Sequence, residues 1–135
     1  MGGQLSGRVL AVDPGDARIG LAISDEGRTV ARPLRVLRHE SREKDATAIV
    51  AEADRMGANL ILVGFPLDED GRPGPQARKA LRLADSLREE TPIPVETWDE
   101  SGSTVEAASM DPSKRTLDAR AAAVFLQDYL NAQIV

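Results

Sequence analysis

The stretch RVLAVDPGDARIGLAIS, residues 8–24, decides the fold of this chain. An apolar run ends at the carboxylate of Asp13, a Pro-Gly pair interrupts it, and a second apolar run follows. Short apolar runs that contain β-branched residues and are bounded by turn formers are typical of buried strands. The stretch therefore predicts two consecutive strands, over residues 8–13 and 19–24, with Asp13 at the end of the first.

The position of Asp13 permits two interpretations. A carboxylate at the end of a buried strand is held by the backbone on one side and faces solvent on the other, which suits a metal ligand or a phosphate-facing group. Asp, Pro and Gly in succession are also ordinary turn residues, so Asp13 can equally serve only to begin a turn. The residues alone leave both interpretations open.

Composition narrows the possible chemistry. The chain has 135 residues, no cysteine and a single histidine, His39. Its length predicts one domain over residues 1–135, with residues 1–7 as a flexible N-terminus. It shows neither a signal sequence nor an apolar stretch near the ~20 residues that cross a bilayer, so we expect a cytoplasmic protein with no membrane partner. Without cysteine, and with His39 expected to be exposed and given no role, chemistry must depend mainly on carboxylates and bound ions.

The remaining elements follow from hydrophobic periodicity. A hairpin turn at residues 25–27 leads into a third strand near residues 30–37, where Pro33 indicates an edge strand or a bulge. In the first predicted helix, the charged residues, including Asp45 and Glu52, are expected on the solvent face. Helices are predicted over residues 41–56, 76–90, 104–110 and 117–132, and further strands over residues 60–65 and 95–98. This order predicts an α/β fold with a five-stranded mixed sheet, three antiparallel strands first and then parallel strands, and helices on both faces.

Acidic residues recur where these elements end. Asp13 ends the first strand, Asp99 and Glu100 follow the fifth, and Asp118 lies on the core-facing stripe of the last helix. If the first, fourth and fifth strands are parallel, their carboxyl ends meet at one rim, where α/β sheets bind ligands. Grouped carboxylates favour a hard cation such as Mg²⁺ or Mn²⁺, and such ions suit hydrolysis of a phosphodiester. Asp118 has a simpler alternative, because the helix dipole favours an acid in the first turn.

Four segments carry a resemblance to a known family. They are DPGDARIGLAISD (residues 13–25), VGFPLDEDGRPG (63–74), DESGST (99–104) and KRTLDARAAAVFLQDYL (114–130). In this order and spacing they resemble the YqgF/RuvX family, which is similar in fold to RNase H and to the RuvC Holliday junction resolvases. The resemblance covers nearly the whole chain, from Val9 to Leu130.

The resemblance implies an RNase H-like fold and a nuclease that depends on Mg²⁺ or Mn²⁺. It implies a role in maturing the 5′ end of 16S ribosomal RNA, with Holliday junction resolution as the alternative. Its catalytic acids would be Asp13, Asp99, Glu100 and Asp118, of which Asp13, Glu100 and Asp118 would bind metal. Structured RNA, branched DNA and ribosomal particles are the expected partners, and the sequence leaves open a monomer or a homodimer.

One motif departs from the family pattern. The family usually has D-E-R-L-S-T where this chain has DESGST at residues 99–104, so the arginine is missing. Our hypothesis is that basic residues elsewhere take over the nucleic-acid contacts. These residues are Arg72, Arg78, Lys79, Lys114 and Arg115. The lost arginine and the net charge of -5 also leave open a non-catalytic nucleic-acid adaptor on the same scaffold. An actin-like ATPase is a further alternative, but it would need a second domain.

Basic residues form two groups along the sequence, each of which can make a basic face or an ordinary solvated surface. The first group is Arg28, Arg32, Arg35, Arg38 and Arg42, and the second is Arg72, Arg78, Lys79, Arg82 and Arg88.

Overall fold

The computed structural model of the protein describes residues 6–67, 70–100 and 119–133. The strands are β1 (Arg8–Pro14), β2 (Arg18–Ser24), β3 (Ala31–Arg38), β4 (Ala58–Phe65) and β5 (Val95–Asp99). The helices in these ranges are α1 (Arg42–Met56), α2 (Pro75–Glu90) and α3 (Arg120–Ala132). The helix predicted over residues 104–110, the start of the predicted last helix, and residues 1–5 of the predicted flexible terminus lie outside the described residues. In the described part, no helix combines the length and the apolar character needed to cross a bilayer.

The strands form one sheet in the order β3-β2-β1-β4-β5. Strand β2 is antiparallel to β1 and to β3, whereas β4 is parallel to both β1 and β5. This arrangement confirms the predicted mixed sheet. Since β1, β4 and β5 run in the same direction, their last residues, Pro14, Phe65 and Asp99, lie along one side of the sheet. We call that side the carboxyl edge.

Strand β3 shows both features that Pro33 predicts. It lies at the end of the sheet, where a missing N–H donor is tolerated. The pairing with β2 also shifts: Leu21 pairs with Arg35 and Ala22 with Pro33, which leaves Leu34 as the extra residue of a bulge.

Helices cover both faces, as predicted. Helices α1 and α2 pack on one face, against a core that includes Leu10, Val12 and Val63. Helix α3 packs on the other face, against a core that includes Val9 and Ala11. We call these the α1/α2 face and the α3 face. Because successive side chains of a strand alternate between faces, this division also decides where the residues at the strand ends point.

Helix α1 corrects one expectation. Asp45 and Glu52, predicted on its solvent face, are only 5 % and 8 % exposed. Asp45 accepts hydrogen bonds from the Nδ1 of His39 and from the amide of Glu40, at 3.0 Å for the amide. Glu52 accepts from Arg35 at 3.1 Å and from Arg55 at 2.6 Å. Buried carboxylates are stable only when paired in this way, and the partner arginine on β3 is not visible in the pattern of the helix alone.

Candidate active site

Asp13 lies where β1 leaves the core. Val9 and Val12 are fully buried, and Asp13 is half-buried at the carboxyl edge. Strand alternation puts Asp13 on the α3 face, because Val9 and Ala11 pack beneath α3 while Val12 packs on the other side. Its side chain therefore faces the space beside helix α3.

Asp13 has a glycine beside it on each neighbouring strand. Its partner on β2 is the buried Gly20. On β4, Val63 pairs with Val12, so Gly64 is the next residue along and lies on the side of Asp13. Glycine has no side chain, and the carboxylate is therefore not crowded from either strand.

Glu100 continues strand β5 beyond its last residue. Its N–H donates to the carbonyl of Phe65 at 3.0 Å, which extends the parallel pairing with β4. Trp98 packs on the α3 face, and alternation puts Glu100 on that face as well. A Cβ built on Gly64 would lie 2.8 Å from the Oε2 of Glu100, which means that the carboxylate of Glu100 lies over Gly64.

Asp99 points the other way. It alternates with Trp98 and Glu100, and so it faces the α1/α2 face, where it is exposed. The adjacent acids predicted from the sequence therefore face opposite sides of the sheet, and their catalytic roles stay a prediction. Glu100 is the member of the pair that shares a face with Asp13.

The positions of Asp13 and Glu100 suit a shared cation. Adjacent strands are about 4.8 Å apart, and one strand separates these residues, so their Cα atoms are roughly 10 Å apart. Gly64 lies between them, and its missing Cβ lets the Glu100 carboxylate lie close above the strand. Carboxylate oxygens are the donors that Mg²⁺ and Mn²⁺ prefer, so the residues present fit a divalent ion.

Helix α3 begins at the same edge. The ring of Phe125 lies over Gly64, with Cε2 and Cζ 2.7 Å from the position of an added Cβ. Farther along the helix, Gln127 donates to the carbonyl of Thr29, just before β3, at 3.0 Å. Strand β3 runs toward the carboxyl edge, so α3 runs away from it and its N-terminal end lies there. Ala119, the residue after Asp118, is 3 % exposed at this end.

The third predicted ligand, Asp118, lies outside the described residues. Across residues 6–67, 70–100 and 119–133, no group of three or more His, Cys, Asp or Glu side chains is arranged to hold a metal. The predicted ligand set depends on Asp118 and stays a prediction. Gly20 and Gly64 are not among the predicted site residues, although a glycine inside a buried apolar strand indicates that another group approaches closely.

The predicted nucleic-acid contacts divide in a similar way. Arg72, Arg78 and Lys79 are exposed around the start of α2, at the carboxyl edge but on the α1/α2 face. Arg78 donates to the carbonyl of Pro73 at 3.1 Å, and Lys79 pairs with Asp16 at 3.4 Å. Lys114 and Arg115 lie outside the described residues.

Solved structures with the same architecture define the class of the fold. RuvC of T. thermophilus, in complex with a Holliday junction substrate, is similar with a TM-score of 0.63 over 95 % of this chain and 96 % of that one, at 16 % identity. The fowlpox virus Holliday junction resolvase is similar with a TM-score of 0.54 over 94 % and 99 % of the two chains, at 14 % identity. The chain therefore has the RNase H-like fold of the RuvC-type resolvases.

Sequence comparison then identifies the family. The RuvX profile, described as Holliday junction resolvase, matches residues 7–132, and the chain belongs to the RuvX family. A relative from Anaeromyxobacter sp. (strain Fw109-5) is 43 % identical over 93 % of this chain and 98 % of its own. A relative from Desulforudis audaxviator is 37 % identical over 93 % and 95 %. Both are named "Putative pre-16S rRNA nuclease". The predicted resemblance is confirmed.

Proposed function

We propose that this protein is a divalent-metal-dependent nuclease that hydrolyses phosphodiester bonds in precursor 16S ribosomal RNA. Membership of the RuvX family supports nuclease chemistry, and the names of the relatives support RNA as the substrate. The observation that carries the proposal is the carboxylate of Glu100 above Gly64, on the same face and edge as Asp13.

Asp13, Glu100 and Asp118 would hold the ion. When bound, Mg²⁺ or Mn²⁺ supplies positive charge that stabilises the transition state of an in-line phosphoryl displacement. Strand β1 fixes the backbone of Asp13, and Glu100 has the longer side chain that reaches over Gly64. Asp118 comes two residues before α3, whose N-terminal end lies at the carboxyl edge. Asp99 faces away and is not part of this ligand set.

The RNA would approach along the carboxyl edge. In place of the arginine missing from DESGST, the cations around the start of α2 would bind the phosphates that flank the scissile bond. Arg72, Arg78 and Lys79 lie there, and Lys114 and Arg115 complete the proposed set. These contacts would position the strand while the acids act on it.

Cleavage assays with matched acid variants test the proposal. The substrates are an RNA that spans the 5′ end of 16S rRNA and a four-way DNA junction, each with Mg²⁺, Mn²⁺ or EDTA. We expect Asp13→Asn, Glu100→Gln and Asp118→Asn each to slow RNA cleavage by roughly 100-fold or more, since each removes charge aimed at the transition state. Asp99→Asn removes the same charge one residue away and should stay within about threefold of the wild type. Wild-type cleavage in EDTA, or a fully active Asp13→Asn, would contradict the proposal.

Junction resolution is the second candidate, favoured by the description of the family. A resolvase cuts two symmetric strands and therefore requires a dimer. Preferential cutting of the junction by a protein that sediments as a dimer would favour this candidate, whereas RNA cleavage by a monomer would favour the first.

A further inference from the structure

A cleft opens at the carboxyl edge, on the α1/α2 face, opposite the face of the proposed active site. Its volume is about 290 Å³, and it lies behind the Pro14-Gly15 turn that follows Asp13. Its other walls are the segment that leads from β3 into α1 and the first turns of α2. The turn after β1 separates it from the acids, which face α3. It is therefore a separate site from the proposed active site.

The cleft brings together the two groups of basic residues seen in the sequence. Arg42, from the first group, lines it with Lys79 and Arg82 from the second. Lys79 pairs with the exposed Asp16 at 3.4 Å. Within the described part of the chain, the guanidinium groups of Arg42 and Arg82 form no hydrogen bond or ion pair. Helix α1 begins at Arg42, so the positive end of its dipole adds to the potential.

The acid in the lining is already hydrogen-bonded to its neighbours. Asp45 is 5 % exposed, and its two oxygens bind the Nδ1 of His39 and the amide of Glu40. This pairing holds the His39 ring in the wall and leaves Nε2 as its remaining polar atom. A buried carboxylate that orients a histidine beside arginines produces a rigid, cationic lining.

We propose that this cleft binds a phosphate group. Arginine guanidinium groups that have no partner among the described residues, together with a lysine, are the donors that recognise phosphate oxygens. The phosphate belongs either to an RNA strand that continues over the Pro14-Gly15 turn from the active site, or to a free nucleotide or phosphate ion. The first source rests on the proposed function, and the second does not.

Binding measurements in EDTA test the cleft without any turnover. A fluorescent single-stranded RNA is titrated at several KCl concentrations, and inorganic phosphate and adenosine 5′-monophosphate are titrated by NMR. For single strands, log K changes with log salt by about 0.7 for each phosphate contact, so Arg42→Gln and Arg82→Gln should each reduce the slope by about 0.7. Arg32→Gln removes an exposed arginine near the start of β3, whereas the cleft lies beyond the end of that strand, and should leave the slope unchanged.

The binding results distinguish the two sources of the phosphate and also test the proposal. A change confined to RNA assigns the cleft to the RNA backbone, and a loss of phosphate and monophosphate binding alone assigns it to a free ligand. The proposal is overturned if Arg42→Gln and Arg82→Gln bind RNA, phosphate and the monophosphate as tightly as the wild type does, and Arg42→Lys does so too. Circular dichroism confirms that the variants fold. Intact RNA binding without metal-dependent cleavage would overturn the proposed nuclease function and leave the cleft standing.

Discussion

At the scale of a single residue, Gly64 allows the Glu100 carboxylate and the Phe125 ring to lie close above the end of β4. An added Cβ would lie 2.7 Å from the ring of Phe125 and 2.8 Å from the carboxylate of Glu100, closer than non-bonded atoms pack. The requirement is for a residue without a side chain rather than for an unusual backbone angle, since Gly64 is not among the glycines with positive φ. One hydrogen atom in place of a methyl group therefore keeps helix α3 and Glu100 close to the same strand end.

Gly64→Ala tests this requirement. We expect a loss of about 1–3 kcal/mol in the free energy of unfolding, because the methyl group overpacks a rigid junction. Cleavage should weaken as well, because the carboxylate of Glu100 must move. Denaturant unfolding and the cleavage assay measure the two effects.

A matched substitution gives the control for Gly64→Ala. Gly74 has no atom within 4 Å of an added Cβ, so Gly74→Ala should cost less than about 1 kcal/mol. In the double variant Gly64→Ala/Phe125→Leu, the smaller side chain at 125 should recover part of the loss. Equal stability of Gly64→Ala and Gly74→Ala would contradict the steric argument.

At the scale of elements, contacts between β5 and α3 hold the helix against the strand that leads to Glu100. The Tyr129 hydroxyl donates to Glu96 at 3.3 Å, and its ring meets Trp98 edge to face at 5.3 Å between centroids. Burial and, next, the negative charge of Glu96 raise the pKa of Tyr129 above its ordinary value. The neutral phenol is therefore the form that supports the docked helix.

An alkaline titration followed by absorbance measures the pKa of Tyr129 directly, because Tyr129 is the only tyrosine in the chain. The absorbance of the phenolate should appear above the usual midpoint of about 10, and Glu96→Gln should lower the midpoint. Since the folded-state pKa is raised, this contribution to stability is complete below the unfolded pKa and is lost as the pH rises through the folded pKa. An unchanged midpoint in Glu96→Gln would contradict the assigned cause.

At the scale of the whole molecule, parallel pairing of β1, β4 and β5 brings distant acids to one edge. Carboxylates grouped there repel one another unless a cation lies between them. Under the proposed function, an ion held by Asp13, Glu100 and Asp118 would lie between these carboxylates. Metal binding and global stability should be linked for this reason.

Thermal unfolding with and without Mn²⁺ tests the link. An ion at about 100 times its Kd should stabilise the wild type by about 2.7 kcal/mol and raise its Tm. Glu100→Gln should lose most of the rise in Tm with Mn²⁺, whereas Asp99→Asn should keep it. An identical rise in the wild type and Glu100→Gln would contradict the placement of the ion.

Much of this protein follows from the sequence alone. The sequence determined the order of the described strands and helices, the mixed sheet, the bulged edge strand and the family, because hydrophobic period, turn residues and motif spacing are local signals. Only the tertiary structure decided that Glu100 rather than Asp99 faces Asp13, that Asp45 and Glu52 are buried, and that two separate groups of arginines meet at one cleft. The face of a strand-end residue depends on which helix packs there, and the burial of a charge depends on partners from distant elements. A local sequence pattern covers only neighbouring residues and therefore contains neither kind of information.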